Sequence, residues 1–417
     1  MKTIKNRPSV FYALLGHIYE HYENTLFTFV APFMAVIFFP HFDPQSSRMA
    51  IYSAVATGFI TRPFGAFIFS WIGDKYGRRK ALIYSVTSCI IPSLLIGLLP
   101  SYAVVGIWAT ILLFIARLIQ GVSVGGGFYA TLTFVSESTE ASKKNLFLGI
   151  TLSMGFLGAI LGTLSSSYFM SDAFPSWGWR VPFLICVIYG LILFSLKSIV
   201  TETKEWSASS HNTPVPFIEA VRLYPENIFA TLFFGMSLLL PFYIVASWLP
   251  GYIMDTFHIS TSENLQISSL LMLTSGLCIV LCAWLLTWIK EKTILRASGA
   301  VGLLCFILLL QAMNCNSYKL ILLTQFCGAI YTALLVAPGL SLVQKLFPIK
   351  CRFSGFAIPF SMGQATLIGS TPLLCEIIST RTQNPANVSY LFLLTIALVL
   401  LGAFLANPLK EEVLESS

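Results

Sequence analysis

Charge is what this sequence is shortest of. Of its 417 residues only 10% are Asp, Glu, Lys or Arg, against about a quarter in a water-soluble globular chain. It lacks the polar surface to face water, and a hydrophobic share of 56% and a mean hydropathy of +0.79 agree. Paired cysteine is also missing. The nine cysteines scatter through or beside apolar runs, which excludes a disulfide framework and a zinc site. Cys278 and Cys282 share a helix face and read as apolar packers. There is no H-E-x-x-H, no G-x-S-x-G, no paired-acid site and no phosphate-binding loop. No enzymatic centre, metal, cofactor or ATP coupling is therefore expected. No soluble domain interrupts the apolar runs.

What is present is a series of those runs. A bilayer core needs about 20 apolar residues per helix. Charged or Pro/Gly-marked breaks divide the chain into spans near 11–39, 50–72, 80–99, 103–136, 145–170, 179–198, 227–254, 265–289, 294–313, 317–345, 353–379 and 388–407. The expected fold class is an all-α membrane protein with twelve transmembrane helices. The first span follows Lys2, Lys5 and Arg7 as a signal peptide would, but it is too long, contains Glu20 and Glu23, and lacks a cleavage site. The longest non-membrane stretch, 199–226, splits the spans six and six, giving halves at 1–198 and 227–417.

Lysine and arginine placement orients the chain. Nineteen of the 25 fall on one side, including Lys75, Arg78, Lys143, Lys144, Lys290, Lys350 and Arg352. Arg48, Arg180, Lys319 and Arg381 fall on the other, and Arg62 and Arg117 lie inside spans. Both termini are thus expected in the cytoplasm. The same placement explains the net charge of +7 as topology, so no nucleic-acid partner is expected.

Ionisable residues inside spans cost at least about 2.5 kcal/mol each and need a reason. Span 1 reads Gly16-His17-Ile18-Tyr19-Glu20-His21-Tyr22-Glu23-Asn24. Helical spacing puts His17, Glu20, His21 and Asn24 on one face, with Glu23 at its margin. Span 4 holds Arg117 and Gln120, then Gly125-Gly126-Gly127, whose small residues permit close helix approach. Arg117 must find an acid, and Glu20 and Glu23 are the candidates. Two readings stay open: fixed ion pairs that lock helices, or a proton relay. Burial disfavours a charged carboxyl while a nearby guanidinium favours it, so a movement separating them lets an acid load and release a proton. Glu20, Glu23, Arg117, His17, His21 and Arg62 are the candidate coupling residues; for each histidine alone, hydrogen-bonding pore lining is the plainer role.

Between spans 2 and 3 stands Gly73-Asp74-Lys75-Tyr76-Gly77-Arg78-Arg79-Lys80. Positive-inside charge explains its basic residues but not an acid and two glycines at this spacing. The stretch resembles the signature of the major facilitator superfamily, G-x-x-x-D-[RK]-x-G-[RK]-[RK], from Asp74 to Arg79, with Ser70 at the first glycine. The resemblance implies two six-helix halves and a latch between them on the cytoplasmic side, built from Asp74, Gly77, Arg78 and Arg79. The corresponding turn in the second half, near Thr287–Lys292, has lost its acid and its glycine.

Further stretches are similar to the metabolite:proton symporter branch typified by proline/betaine transporters. Span 1 resembles its G-N-x-x-E-W-[FY]-D pattern at Gly16, Glu20 and Tyr22, with Glu23 for the Asp. Arg62-Pro63-Phe64-Gly65, Gln120 to Gly126, Trp177 to Phe183, Leu249 to Tyr252 and Phe347 to Ser354 are similar too. The chain departs from the branch at His17, at His21, at Gly127 where an acid is usual, and at Lys204 where a proline is usual. It stops soon after span 12, so no coiled-coil extension is expected. The resemblance implies a monomeric, proton-coupled carrier of a small organic solute in the bacterial inner membrane, with protons and lipid as its other partners. The solute would be an amino acid, betaine or carboxylate, moved by alternating access. Tyr19, Tyr22, Asn24, Gln120, Phe128, Tyr129, Tyr243, Trp248 and Tyr331 are the expected cavity residues, although most membrane aromatics are packing or interfacial belt. Efflux is disfavoured because span 5, with Gly155, Gly158 and Gly162, lacks the Gly-Pro motif usual in exporters. A receptor would usually show an added soluble domain.

Overall fold

In lipid a backbone N–H or C=O has no water to bond, and a helix satisfies both within itself. The computed structural model describes residues 7–41, 44–171, 173–208 and 215–409, and among these the regular structure is helical, without strands. Twelve long elements follow one another. They are α1 (Arg7–Phe38), α2 (Pro44–Ile60 continuing as Arg62–Tyr76), α3 (Arg78–Leu98), α4 (Ile107–Ser138), α5 (Ala141–Phe169) and α6 (Gly178–Ile199). After two short helices, Lys204–Ala208 and Pro216–Leu223, come α7 (Pro225–Phe257), α8 (Thr261–Leu285), α9 (Glu291–Asn314), α10 (Tyr318–Val343), α11 (Arg352–Gly363, continuing to Thr371–Thr382) and α12 (Pro385–Leu405). Ten contain stretches long and apolar enough to cross a membrane; α1 and α11 are the more polar two. Large apolar side chains such as Phe67, Trp108, Ile188, Leu277 and Phe404 stand on the outer surface, as lipid contact requires. Lys2, Lys5, Lys410 and residues 209–214 lie outside the described residues.

The expected spans and the helices coincide to within a few residues except at α2. There the expected loop at 73–80 shrinks to Gly77, the single residue between α2 and α3. Asp74 continues the helix because its charge is buried among partners rather than left in a loop. Gly77 has φ 115°, a backbone conformation L side chains rarely adopt.

Within the first six helices α1 packs on α5 and α2 on α4; within the last six α7 packs on α11 and α9 on α10. Two seams join the sets, α5 against α8 and α2 against α11. At the α2–α4 crossing a Cβ on Gly125 would stand 2.3 Å from the Arg62 carbonyl oxygen, so only glycine lets these backbones touch. The helical ladder is interrupted at three places that border the space between the sets. α2 breaks at Thr61, whose hydroxyl donates to the Leu118 carbonyl of α4 at 3.0 Å. α7 loosens after Leu239–Leu240-Pro241 into a π turn at Ile244–Trp248, and α11 into another at Gln364–Ile368. Such bulges concentrate at functional sites because they re-aim side chains.

Candidate functional site

Between the two sets of helices lies a cavity of about 150 Å³. The wall from the first set presents Glu20, His21, Asn24 and Thr25 of α1, Arg62 of α2, Phe128 and Tyr129 of α4, and Phe156 of α5. The opposite wall presents Phe242, Tyr243, Ala246 and Ser247 from the loosened stretch of α7, Met272 of α8, and Phe360 and Gln364 of α11. One polar strut crosses it: the Tyr129 hydroxyl donates to Gln364 Oε1 at 2.9 Å.

Two ionisable side chains line this space without an ion-pair partner among the described residues. The Arg62 guanidinium donates through Nη2 to Asn24 Oδ1 at 2.6 Å and stacks 3.7 Å from the centre of the Phe59 ring. Its Nε has no partner and, among the described residues, no carboxylate lies within ion-pairing distance of it. Glu20 is 2% exposed, and neither of its carboxylate oxygens has a hydrogen-bond partner among the described residues. Its carboxylate lies over Gly127, where an added Cβ would overlap it outright. His21 donates from Nδ1 to the His17 carbonyl at 3.1 Å. His17 is fully buried behind it, the two rings 4.3 Å apart, with both ring nitrogens unpartnered among the described residues.

Behind the cavity the second acid sits in a network that engages one of its oxygens and leaves Oε2 without a partner among the described residues. Glu23 Oε1 accepts from the Gln120 amide and from the Ser93 hydroxyl, the latter at 3.2 Å. Gln120 Oε1 in turn accepts from Arg117 Nη1. Arg117 also donates from Nε to the Ala54 carbonyl at 3.1 Å and lies 4.0 Å from the centre of the Phe27 ring. The direct acid partner expected for Arg117 is thus replaced by an amide relay. Arg117 and Gln120 are i and i+3 on one helix face, which puts the amide between guanidinium and carboxylate.

At the Asp74 end the two sets of helices are joined by buried charge. Arg78 Nη1 meets Asp74 Oδ1 at 2.5 Å, Arg78 Nε meets Glu137 Oε2 at 3.1 Å, and all three side chains are essentially unexposed. Across the seam Asp74 accepts from the backbone N–H of Phe353 at 3.3 Å and of Ser354 at 2.8 Å, the first turn of α11. Arg78 Nη2 donates to the Ile349 carbonyl at 2.7 Å, and Arg352 bridges Glu137 at 3.3 Å and Glu205 at 2.9 Å. Arg79 is tied to the segment after α6, its Nε donating to the Val200 carbonyl at 2.6 Å and its N–H to Glu202. Burial pushes the Glu202 carboxyl above the usual range, against the pull of the Thr203 and Arg79 N–H groups. Glu202 also fills the space beside Gly77 that any side chain there would need.

The family model of the Major Facilitator Superfamily matches residues 14–370. The chain belongs to this superfamily. It is therefore a multi-pass membrane transporter, and the twelve-helix fold is the family's. The proline/betaine transporter of Escherichia coli (strain K12) is 28% identical over 98% of this chain and 84% of its own length. That of Salmonella typhimurium is likewise 28% identical over the same shares. Among solved structures the proton:xylose symporter XylE, bound to a bromodeoxyglucose, superposes with a TM-score of 0.80 at 14% identity, covering 95% of this chain and 94% of that one. The partially occluded, inward-open form of XylE from E. coli superposes at 0.72 and 15% identity, with 95% and 96% covered.

In this facilitator fold Asn24, Phe128, Tyr129 and Tyr243 stand on the cavity wall, and the other five residues expected there do not. Tyr19 packs edge-on against Tyr189 of α6, and Tyr22 donates to the Pro182 carbonyl at 3.2 Å. Both lie on the α1 face turned away from the Glu20–Asn24 stripe, which helical geometry requires of positions one residue off that stripe. Gln120 is committed to the Glu23 relay. Trp248 donates to Glu376 at 3.2 Å, and Tyr331 is buried between Gly302 and Phe392. The second-half turn, expected to have lost its acid, does carry one. Glu291 opens α9 and meets Lys345 Nζ at 2.5 Å, and Ser341 Oγ lies 3.0 Å from Glu291 and 2.7 Å from Asn145 of α5. Missed in the sequence were Glu137 and Gln364. Glu137 had a signal, an acid in the last turn of a span on the arginine-rich side; Gln364 had none beyond the glycine before it.

Proposed function

We propose that this transporter takes up a small organic solute together with protons, by alternating access, in a bacterial inner membrane with both termini cytoplasmic. The observation that supports it most is the buried Glu23–Gln120–Arg117 relay standing directly behind the cavity. A carboxyl and a guanidinium joined through one amide change partners when α1 and α4 shift by a fraction of a helix turn, and the acid then holds or releases its proton. His21 serves as polar lining and His17 as its support. The Asp74–Arg78–Glu137 cluster closes the cytoplasmic side in this conformation, and Gly77 and Arg79 fix its geometry. Opening inward requires α11 to leave Asp74. The kinship with proline/betaine transporters and the fold shared with a xylose–proton symporter support an organic solute, and the proline-free α5 supports import over efflux. The transporter acts as a monomer.

The test is uptake by proteoliposomes of a labelled panel of amino acids, betaines, carboxylates and sugars, with and without an inward proton gradient. Accumulation against the solute gradient, abolished by an uncoupler, is expected. Equal uptake with and without the proton gradient would remove the coupling.

A further inference from the structure

Glu23 stands at the midpoint of α1, and neither it nor its partners Ser93 and Gln120 line the cavity. Its contacts lead instead into the interior of the first six helices. The Ser93 hydroxyl of α3 lies 3.2 Å from Glu23 Oε1 and 3.4 Å from the Cys186 thiol of α6, so its one proton can go to either. One turn along α6, towards the Asp74 end, Gly190 makes room for the Tyr19 hydroxyl: a Cβ there would stand 2.6 Å from that oxygen. Tyr12, Tyr19 and Glu23 are spaced by seven and four, which places them on one face of α1, turned away from the Glu20–Asn24 stripe. All three are fully buried, and the Tyr12 and Tyr19 hydroxyls have no hydrogen-bond partner among the described residues. A buried hydroxyl without a partner is costly, and phenylalanine would fill the same space without that cost. The two oxygens therefore need a use. At 1.5 Å per residue the rise from Tyr12 to Glu23 is about 16 Å, roughly half the thickness of a bilayer core. Just beyond Tyr12, Ser9 donates to the Ile199 carbonyl at the end of α6, at 3.2 Å.

Resting on the proposed transport function, we infer that the coupling proton leaves Glu23 through the interior of the first half, by way of Ser93 and Cys186 to Tyr19 and Tyr12. Solute and proton then travel on different faces of the same helix. Each hydroxyl or thiol accepts a proton on its oxygen or sulfur and gives up the one it carried. The chain ends unchanged, and one proton passes to the cytoplasm. Glu23 is left a carboxylate, held by the Gln120 amide and through it by Arg117. The solute cavity needs no contact with the acid, because α1 is the wall the two routes share.

The experiment separates proton release from solute movement. Proteoliposomes are loaded with a pH-sensitive dye, and the solute is whichever of the labelled panel the unaltered protein accumulates fastest. Tyr19→Phe and Tyr12→Phe each remove one oxygen and keep the ring. Each should slow solute-coupled proton influx by about 10–100-fold, up to the lower end of what a positioned proton carrier contributes. Counterflow exchange, with solute on both sides at equal pH, shuttles the loaded carrier without proton release and should stay within about twofold of the unaltered protein. Ser93→Ala should behave like the two tyrosine variants, and Ser93→Thr, which keeps the hydroxyl, should restore influx. Unaltered influx in either tyrosine variant or in Ser93→Ala overturns the route; if Glu23→Gln still abolishes accumulation, the proposed transport function stands. Equal losses of influx and exchange make the tyrosines packing groups and overturn it too. No proton influx with any solute of the panel in the unaltered protein overturns both the route and the proposed coupling.

Discussion

The wall of the cavity formed by α1 and α2 carries Glu20, His21, Asn24 and Arg62, whereas among the described residues the wall formed by α7, α8, α10 and α11 carries no ionisable side chain except Tyr243. The same contrast recurs at the Asp74 end. Asp74, Arg78 and Glu137 are fully buried, while their counterpart in the second half, Glu291 with Lys345, is 14% and 37% exposed. The halves share an architecture and differ in chemistry. One presents ionisable side chains; the other offers aromatic surface and two loosened stretches, at Ile244–Trp248 and Gln364–Ile368. Charge in a low-dielectric interior is worth far more than at a wet edge, so substitutions in the first half should dominate.

The largest effect is expected at Glu23. Glu23→Gln should abolish accumulation against a gradient, a loss of roughly 100-fold or more, the scale on which a positioned proton-transfer group acts, while counterflow exchange of solute continues. Uphill uptake that persists in this variant and still responds to an uncoupler would take Glu23 out of the relay.

Asp74→Asn comes next. Breaking one member of a buried charge cluster costs about 3–5 kcal/mol, and here the loss falls on the closed conformation alone. Turnover should fall at least about tenfold, with normal abundance in the membrane, and cysteine accessibility at the Asp74 end should rise. Normal turnover with this variant would leave the cluster without a gating role.

Gly127→Ala should have an intermediate effect, because its methyl group and the Glu20 carboxylate claim the same space. Overpacking of this kind costs about 1–3 kcal/mol. Solute KM should rise severalfold, more than in an alanine substitution at Gly299, whose added Cβ would meet only Ile396 in ordinary contact. Equal KM values for the two would show that Glu20 is not held where the solute binds.

Smallest of all should be Glu291→Gln. A partly exposed pair is worth about 0–1 kcal/mol, so turnover should stay within about twofold of the unaltered protein. An effect as large as that of Asp74→Asn would erase the contrast between the halves.

Hydropathy and loop charge made the twelve helices legible because lipid leaves a spanning backbone no other way to satisfy itself. The polar stripe of α1 was legible too, since spacing alone puts Glu20, His21 and Asn24 on one face. What spacing does not tell is which neighbour that face meets. Tyr19 and Tyr22 share the helix with the stripe yet turn towards α5 and α6, and Arg117 stands near Glu23 yet reaches it only through Gln120. The second cavity wall was the least legible part. It depends on where α7 and α11 break their ladders, and Pro241 and Gly363 mark those places without saying how Ser247 or Gln364 will be aimed.

One helical segment, Arg62–Tyr76, begins with a cavity residue and carries Asp74 in its last turn. At 1.5 Å per residue the two lie roughly 18 Å apart along a continuous rod. Beyond its far end only Gly77 separates it from α3, which is a joint with almost no slack. In the transport cycle proposed above, a shift of Arg62 at the cavity would tilt a lever whose other arm bears on the start of α11. The cavity wall and the buried charge cluster are thus opposite ends of one stiff piece, so the proposed cycle couples the two mechanically.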